Sequence, residues 1–167
     1  MSVSMYEASI PLLARFLRAL DRIMDKAQAH ADQKKFDSSV LVQARLAPDM
    51  FEFARQVQIA CDMAKGCAAR LAGIDAPRHA DDETTLAELK ARIGKVLVFI
   101  EGVDKAKFEG SETRDIRLVF PNQTFDFKGR DYLFGFVWPN FHFHMATAYD
   151  ILRHNGVELA KSDYLAR

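Results

Sequence analysis

Four long stretches of this chain place an apolar residue at every third or fourth position, which is the spacing of a helix with one apolar face. These stretches cover about residues 5–27, 46–71, 86–103 and 133–154. Charged residues such as Arg15, Asp62 and Lys65 fall on the opposite faces. Because each helix must bury its apolar face against another element, the pattern predicts an all-α fold, an antiparallel four-helix bundle.

Helix boundaries can be read from capping residues and prolines. Pro11 lies inside the first stretch and either kinks that helix or marks a later start, and the polar residues 30–37 are predicted to connect it to the next element. Pro48 suits the first turn of the second helix, and Gly73 suits its C-terminal cap. Residues 85–88 form a capping box that begins the third helix.

The period changes between the third and fourth helical stretches. Over residues 114–128, apolar residues alternate with polar ones on both sides of a turn at residues 121–123. This pattern predicts a small β-hairpin inserted before the last helix. Because an isolated hairpin is marginally stable in water, its aromatic face is expected to pack on the helices.

The last helix has a competing interpretation. Residues 138–144 alternate in a way that would also fit a strand, and Pro139 should kink a helix near its start. We favour the helix, because residues 145–154 continue its period without a turn signal.

Composition restricts the classes of protein to consider. The 167 residues are 49% hydrophobic and carry 23 basic and 23 acidic side chains, which suits a single globular domain over residues 1–167. The zero net charge argues against nucleic acid as a partner. No apolar run is long enough to cross a membrane, and the N-terminus does not resemble a secretion signal.

The two cysteines, Cys61 and Cys67, are predicted to be free. Six residues apart on one helix, their side chains point about 120° away from each other, so neither a disulfide nor a shared metal fits. We expect buried thiols and a cytoplasmic location.

The sequence lacks the strong catalytic and cofactor motifs, including any Glu-x-x-His pair for a di-iron site. Its candidate site lies on the last helix, where Asn140 and His144 are polar residues on an otherwise apolar face. Asp49 and Gln56 lie seven apart on the second helical stretch, hence on one face, and either could meet His144 across the bundle if its side chain turns inward; otherwise Asp49 pairs with Arg45 at the surface. Two interpretations remain open: a ligand pocket bordered by these four residues, or a buried histidine satisfied by a neighbouring polar group.

Aromatic residues gather on a second face of the last helix. Trp138, His142 and Tyr149 share this face, which points away from the predicted core. Exposed aromatic clusters are typical of interfaces, so the sequence predicts a homodimer.

The chain also resembles an uncharacterised, mainly bacterial family. The resemblance rests on five segments that span almost the whole sequence: residues 46–50, 55–61, 139–144, 147–157 and 161–165. That family is similar to a branch of the DinB/YfiT-like metalloenzymes, which are four-helix bundles with some thiol-dependent transferases or isomerases among them.

The resemblance implies a site for a divalent metal such as zinc or nickel. The wider superfamily presents one histidine from its second helix and a His-x-x-x-His pair from its last helix. Here that pair would be Asn140 with His144, or His144 with Ala148, and the second-helix ligand would be Asp49 or a neighbour. One histidine, one carboxylate and one amide make a weak set for these metals, so we expect no stoichiometric metal.

Two functions follow as hypotheses. The first is a small-ligand-binding or structural homodimer in which Asn140 and His144 are structural polar groups. The alternative is a metal- or His-assisted hydrolase or thiol transferase acting on a small molecule. In the alternative, His144 is the base or ligand, Asp49 orients it, and Asn140 binds the substrate.

Overall fold

The computed structural model describes residues 3–165, which are mostly helical and include one antiparallel pair of strands. In chain order the elements are α1 (Ile10–Lys34), α2 (Ser39–Gln43), α3 (Phe53–Ala72), α4 (Leu86–Gly102), β1 (Asp115–Phe120), β2 (Gln123–Lys128), α5 (Gly129–Asp131), α6 (Trp138–His154) and α7 (Lys161–Tyr164). Within the described residues, no helix is both long and apolar enough to cross a membrane.

Helix α1 begins at the later of the two predicted starts, with Pro11 in its first turn. A proline fits there because its missing N–H would have no partner in the first turn anyway. The predicted connection over residues 30–37 is wrong for most of its length, because α1 continues to Lys34. Lys35 then ends the helix in a left-handed conformation, with φ at 59°.

Helix α3 begins at Phe53, so the predicted start near Pro48 is wrong. Residues 44–52 instead form a loop that closes on itself: the Phe53 N–H donates to the carbonyl of Ala44 at 2.9 Å, and Arg45 donates to the carbonyl of Met50 at 2.8 Å. At the other end the prediction is confirmed, because Gly73 caps α3 with φ at 67°.

The four long helices share one core. Helix α3 packs against α4 and α6, and α1 packs against α4, α3 and α6. Their buried apolar side chains form a single cluster. The predicted capping box of α4 is confirmed, with the Thr85 hydroxyl accepting from the Glu88 N–H and the Glu88 carboxylate accepting from the Thr85 N–H.

The predicted hairpin is confirmed. Strands β1 and β2 pair antiparallel from Phe120 with Gln123 at the turn to Asp115 with Lys128 at the open end. Ile116 and Leu118 of β1 are buried. On β2, the ring of Phe127 lies 5.6 Å from that of Phe136, which leads into the last helix, so the hairpin packs on the helices as expected.

Residues 138–144 are helical, so the helix interpretation of the last segment is confirmed and the strand interpretation is wrong. The segment runs from α5 through a wider π-helical turn over residues 132–137 into α6. Pro139 lies in the first turn of α6 and cannot donate a backbone hydrogen bond. In an ordinary α-helix the N–H of residue 139 would donate to the carbonyl of residue 135, which lies within the π-helical turn. Such turns are frequent at functional sites.

Candidate functional site

The candidate site is built on a hydrogen-bonded pair between α3 and α6. His144 Nδ1 lies 2.7 Å from Gln56 Oε1, and Gln56 Nε2 donates to the carbonyl of Phe51 at 3.0 Å. Gln56 is buried and His144 is half-buried. Two of the four predicted site residues are therefore in direct contact, on the two helices that the sequence indicated.

This chain of hydrogen bonds fixes the tautomer of His144. Because Gln56 uses its NH₂ group on Phe51, its oxygen faces His144 and must accept the Nδ1–H. Burial lowers the pKa of His144, and the charge of nearby Arg55 lowers it further. We therefore assign a neutral imidazole at pH 7 whose Nε2 keeps a free lone pair. Within the described residues, Nε2 makes no hydrogen bond.

The other two predicted site residues do not join this pair. Asn140 lies one turn before His144, but its Nδ2 donates to the carbonyl of Phe136 at 2.7 Å and so supports the π-helical turn. Asp49 is exposed in the loop before α3 and has no ion pair among the described residues. Its expected place on one helical face with Gln56 is wrong, because residue 49 is not helical.

A cavity of about 460 Å³ opens at the N-terminal end of α3, and neither Gln56 nor His144 is among its lining residues. Its walls come from the loop before α3, from the first turns of α3 and from the loop before α4. Arg55 lines this cavity and is also the residue whose charge acts on His144. Phe51, which accepts the hydrogen bond from Gln56, lines it as well.

Sequence reasoning missed the most buried charged residue. Arg92 of α4 is 2% exposed and pairs with Asp62 at 3.0 Å, Asp81 at 2.6 Å and Glu83 at 3.1 Å. The signal was present: Arg92 lies three residues after Leu89, on the apolar face, and acidic residues 81–83 precede the helix.

The Arg92 network holds one wall of the cavity in place. Arg55 reaches Asp81 at 2.7 Å, and Gln58 donates to Glu83 at 3.0 Å. Burial alone would raise the pKa of Asp81 and Glu83, but the hydrogen bonds from Arg92, and from Arg55 to Asp81, outweigh it and hold both pKa values below their usual range. Both carboxylates are therefore charged at neutral pH and tie the loop before α4 to α3.

The residues present do not fit a metal centre of the family type. Within residues 3–165, no three His, Cys, Asp or Glu side chains are placed to hold a metal ion. At the positions that the resemblance indicates, Asn140 Nδ2 is held on the carbonyl of Phe136 and Asp49 lies in an exposed loop outside α3, so these residues do not form a ligand set with His144. Burial raises the pKa of both Cys61 and Cys67 to about 12, which leaves these free thiols protonated.

The aromatic face that was predicted to bind a partner is not free, because residues of the same chain contact it. Trp138 donates from Nε1 to the carbonyl of Ala8 at 3.2 Å, and His142 Nδ1 lies 3.0 Å from the hydroxyl of Tyr164. The ring of Tyr149 also packs edge-on against Tyr164, at 6.1 Å between centroids. The C-terminal segment around α7 thus occupies the face that the sequence assigned to a partner.

The fold is that of a DinB-like helical protein. A crystal structure of a DinB family member from Shewanella denitrificans is 47% identical to this chain, covers 96% of it and 90% of its own length, and superposes with a TM-score of 0.89. The chain belongs to the DUF1993 family, a domain of unknown function whose model matches residues 5–165. The resemblance to an uncharacterised DinB-like family is thereby confirmed. A comparison with the curated proteins gives no match.

Proposed function

We propose that this DinB-like protein binds a small polar molecule in the cavity at the N-terminal end of α3, without a stoichiometric metal. The observation that carries the proposal is the lining of this cavity, in which Arg55 keeps its Nη2 free and Asp82 has no ion pair within the described chain. Polar groups that converge on a concave site and keep free hydrogen-bonding positions are typical of ligand sites.

The cavity has the size and the chemistry for such a molecule. Its volume, about 460 Å³, lies in the range of small-molecule sites. Among the lining residues, Asp82 has no ion pair within the described chain, and Arg55 uses only Nη1 for its contacts with Asp81 and Gln58. A small molecule that carries a carboxylate and an amine would find complementary charges at Arg55 and Asp82.

The binding test uses small carboxylic acids and amines as probes. Protein-observed NMR with a panel of these fragments should find binders that shift the imidazole signals of His144, because the charge of Arg55 acts on that ring. The Arg55→Gln variant should lose the acid fragments, whereas the control Arg153→Gln, at an exposed arginine near the end of α6, should keep them. Equal binding by both variants, or no fragment that moves the His144 signals, would refute the proposed site.

The alternative function is a His-assisted hydrolase or thiol transferase. It is favoured by one observation: Gln56 orients His144 as a partner orients a general base, with Nε2 directed away from the pair. Because the chain's own thiols are buried and protonated, the thiol in such a reaction would come from outside. A simple alkyl thiol plus an electrophilic substrate, assayed with wild type and His144→Gln, tests this: equal rates exclude a base role for His144.

We further propose that the four long helices form an antiparallel four-helix bundle within one domain, and that the protein assembles as a homodimer. The bundle is supported by the packing of α1 on α4, α4 on α3, α3 on α6 and α6 on α1. The homodimer is supported by one large apolar side chain on α4, Val98, which is 77% exposed. Sedimentation velocity over a concentration series tests the dimer, and a monomer at every concentration would exclude it.

A further inference from the structure

The loop between α3 and α4 carries one aspartate in a backbone conformation that few side chains adopt. Residues 74–84 contain neither helix nor strand, and Asp81 within them has φ at 58°. This left-handed region is uncommon for residues other than glycine, although aspartate tolerates it better than most. Such conformations persist where the surroundings hold them, and they are concentrated at ligand clamps and switch regions. The contacts of the Asp81 carboxylate show what holds it there.

Two arginines from two helices bind the carboxylate of Asp81. Arg55 of α3 donates from Nη1 to Oδ2 at 2.7 Å, and Nη1 of Arg92 on α4 lies 2.6 Å from Oδ1. Each carboxylate oxygen thus has its own guanidinium, and Arg92 is almost completely buried. Hydrogen bonds between two charged groups are about twice as strong as those between neutral groups. The two arginines therefore form a ready-made receptor for one carboxylate.

We propose that the Arg55–Arg92 pair is the binding site for the carboxylate of an external acid, and that Asp81 occupies this site in the free protein as an internal substitute. This inference rests on the proposed function and specifies which groups bind the acid end of the small molecule. Binding is then an exchange, in which the carboxylate of the acid takes the two arginines and Asp81 turns into water. One carboxylate replaces another, so no buried charge is left without a partner.

Of the three carboxylates on Arg92, that of Asp81 is the one free to leave. Asp62 is fixed in α3, and the side chain of Glu83 is only 13% exposed and also accepts from Gln58 at 3.0 Å. The side chain of Asp81 is 33% exposed and belongs to a loop without regular structure. When Asp81 leaves, Arg92 keeps two acidic partners, so the exchange does not require the protein to unfold.

The cavity at the N-terminal end of α3 gives an external acid access to this site. Asp81 and Arg55 both line the cavity, whereas Arg92 does not. A carboxylate in the cavity therefore has a direct path to Arg55, and it reaches Arg92 by taking the place of Asp81. Release also frees Asp81 from its left-handed conformation, which offsets part of the contacts that the loop loses.

An NMR titration with acetate, which is the carboxylate end of an aspartate side chain, tests the exchange. Asp81→Asn removes the competing charge and tolerates the same backbone conformation. If Asp81 occupies the arginines for more than about 90% of the time, this variant should bind acetate at least about tenfold more tightly than wild type. The control Asp75→Asn removes an equal charge from an exposed position at the start of the same loop and should leave the affinity unchanged. Acetamide, the neutral isostere of acetate, should bind to none of these proteins.

A second variant and the wild type decide between the outcomes. Asp81→Gly removes the side chain and suits the positive φ, so it should bind acetate at least as tightly as Asp81→Asn. Circular dichroism verifies that each variant is folded. Acetate binding by wild type that neither variant strengthens would overturn the exchange but leave the proposed function intact. Binding by the folded variants alone would support the arginine site and leave the wild type without the proposed function, and binding by none of them would overturn both.

Wild-type protein also supplies a readout that needs no variant. Saturating acetate should shift the backbone amide signals of residues 80–82, because the carboxylate of Asp81 leaves its two partners. The amide signal of Asp75, outside the exchange, should stay in place. Acetate that shifts the side-chain signals of Arg55 but leaves residues 80–82 unchanged would overturn the displacement of Asp81.

Discussion

The buried guanidinium of Arg92 gives the most demanding test of this structure. Its two terminal nitrogens contact three carboxylates, those of Asp62, Asp81 and Glu83, at 2.6 to 3.1 Å. Replacing Arg92 with Met keeps the aliphatic stem but leaves the three carboxylates without their shared cation. We expect a large loss of stability, together with release of the loop before α4.

The magnitude follows from the burial of the partners. Breaking a fully buried ion pair costs about 3–5 kcal/mol, because it leaves an uncompensated charge. The Arg92 side chain is 1% exposed, but Asp62 and Asp81 are about one-third exposed and can regain water. Glu83, at 13% exposed, recovers less. We therefore expect Arg92→Met to lower the free energy of unfolding by about 2–4 kcal/mol.

Urea unfolding followed by circular dichroism measures this loss. The matched control is Arg18→Met, which removes an arginine from an exposed pair with Glu101 and should cost no more than about 1 kcal/mol. Equal losses in the two variants would show that the buried ion pairs of Arg92 contribute no more to stability than an exposed pair, and would refute this prediction.

Acid titration of wild type and of Arg92→Met supplies an independent check. The pKa values of Asp81 and Glu83 are lower in the folded protein than in the unfolded chain. Their contribution to the free energy of unfolding is therefore complete above the unfolded pKa values of 3.8 and 4.5. This contribution is lost as the pH falls through the folded pKa values. Arg92→Met removes the largest lowering influence on the pKa of Glu83 and one of two on that of Asp81, and its stability should therefore change less with pH in the acid range than that of wild type.

Three further outcomes are expected. His144→Ala should cost about 1–3 kcal/mol in urea unfolding, because it leaves the buried Gln56 oxygen without its donor, whereas His154→Ala, at an exposed histidine, should cost almost nothing. Elemental analysis of protein purified without a His tag should find no stoichiometric zinc or nickel; close to one ion per chain, lost in His144→Ala, would contradict this. Gly129→Ala should lower the melting temperature strongly, because its Cβ would fall 1.8 Å from the carbonyl oxygen of Ser111, whereas Gly135→Ala, with open space at its Cβ, should not show this clash.

Residue spacing predicted the regular part of the fold well. The stripe from Leu86 to Ile100 and the capping box at Thr85 defined α4, because a helix that buries one face must repeat its apolar residues at that spacing. The alternation around Ile116 and Leu118 likewise defined the hairpin. The start of α3 was missed because side chains bind backbone groups in the loop before it. Arg45 on the carbonyl of Met50 stabilises a loop where Pro48 suggested a helix start.

Two of the four candidate residues are in contact for a related reason. Gln56 and His144 lie on helices whose apolar residues show which face turns towards the core, so the sequence could suggest that they meet. Asp49 could not be placed correctly, because its position depends on whether the chain before Phe53 is helical. Arg92 was missed because one arginine among apolar neighbours does not show that three carboxylates from other segments will surround it.

Two irregular stretches of backbone precede the residues of the candidate site along the chain. The loop over residues 44–52 lies before Gln56, and the π-helical turn over residues 132–137 lies before His144. Side chains of the site bind both: Gln56 donates to the carbonyl of Phe51, and Asn140 donates to that of Phe136. Natural proteins depart from local regularity mainly where function requires a particular geometry. A fold selected only for packing would have no reason to retain both departures beside the Gln56–His144 pair, and this supports the proposed binding role.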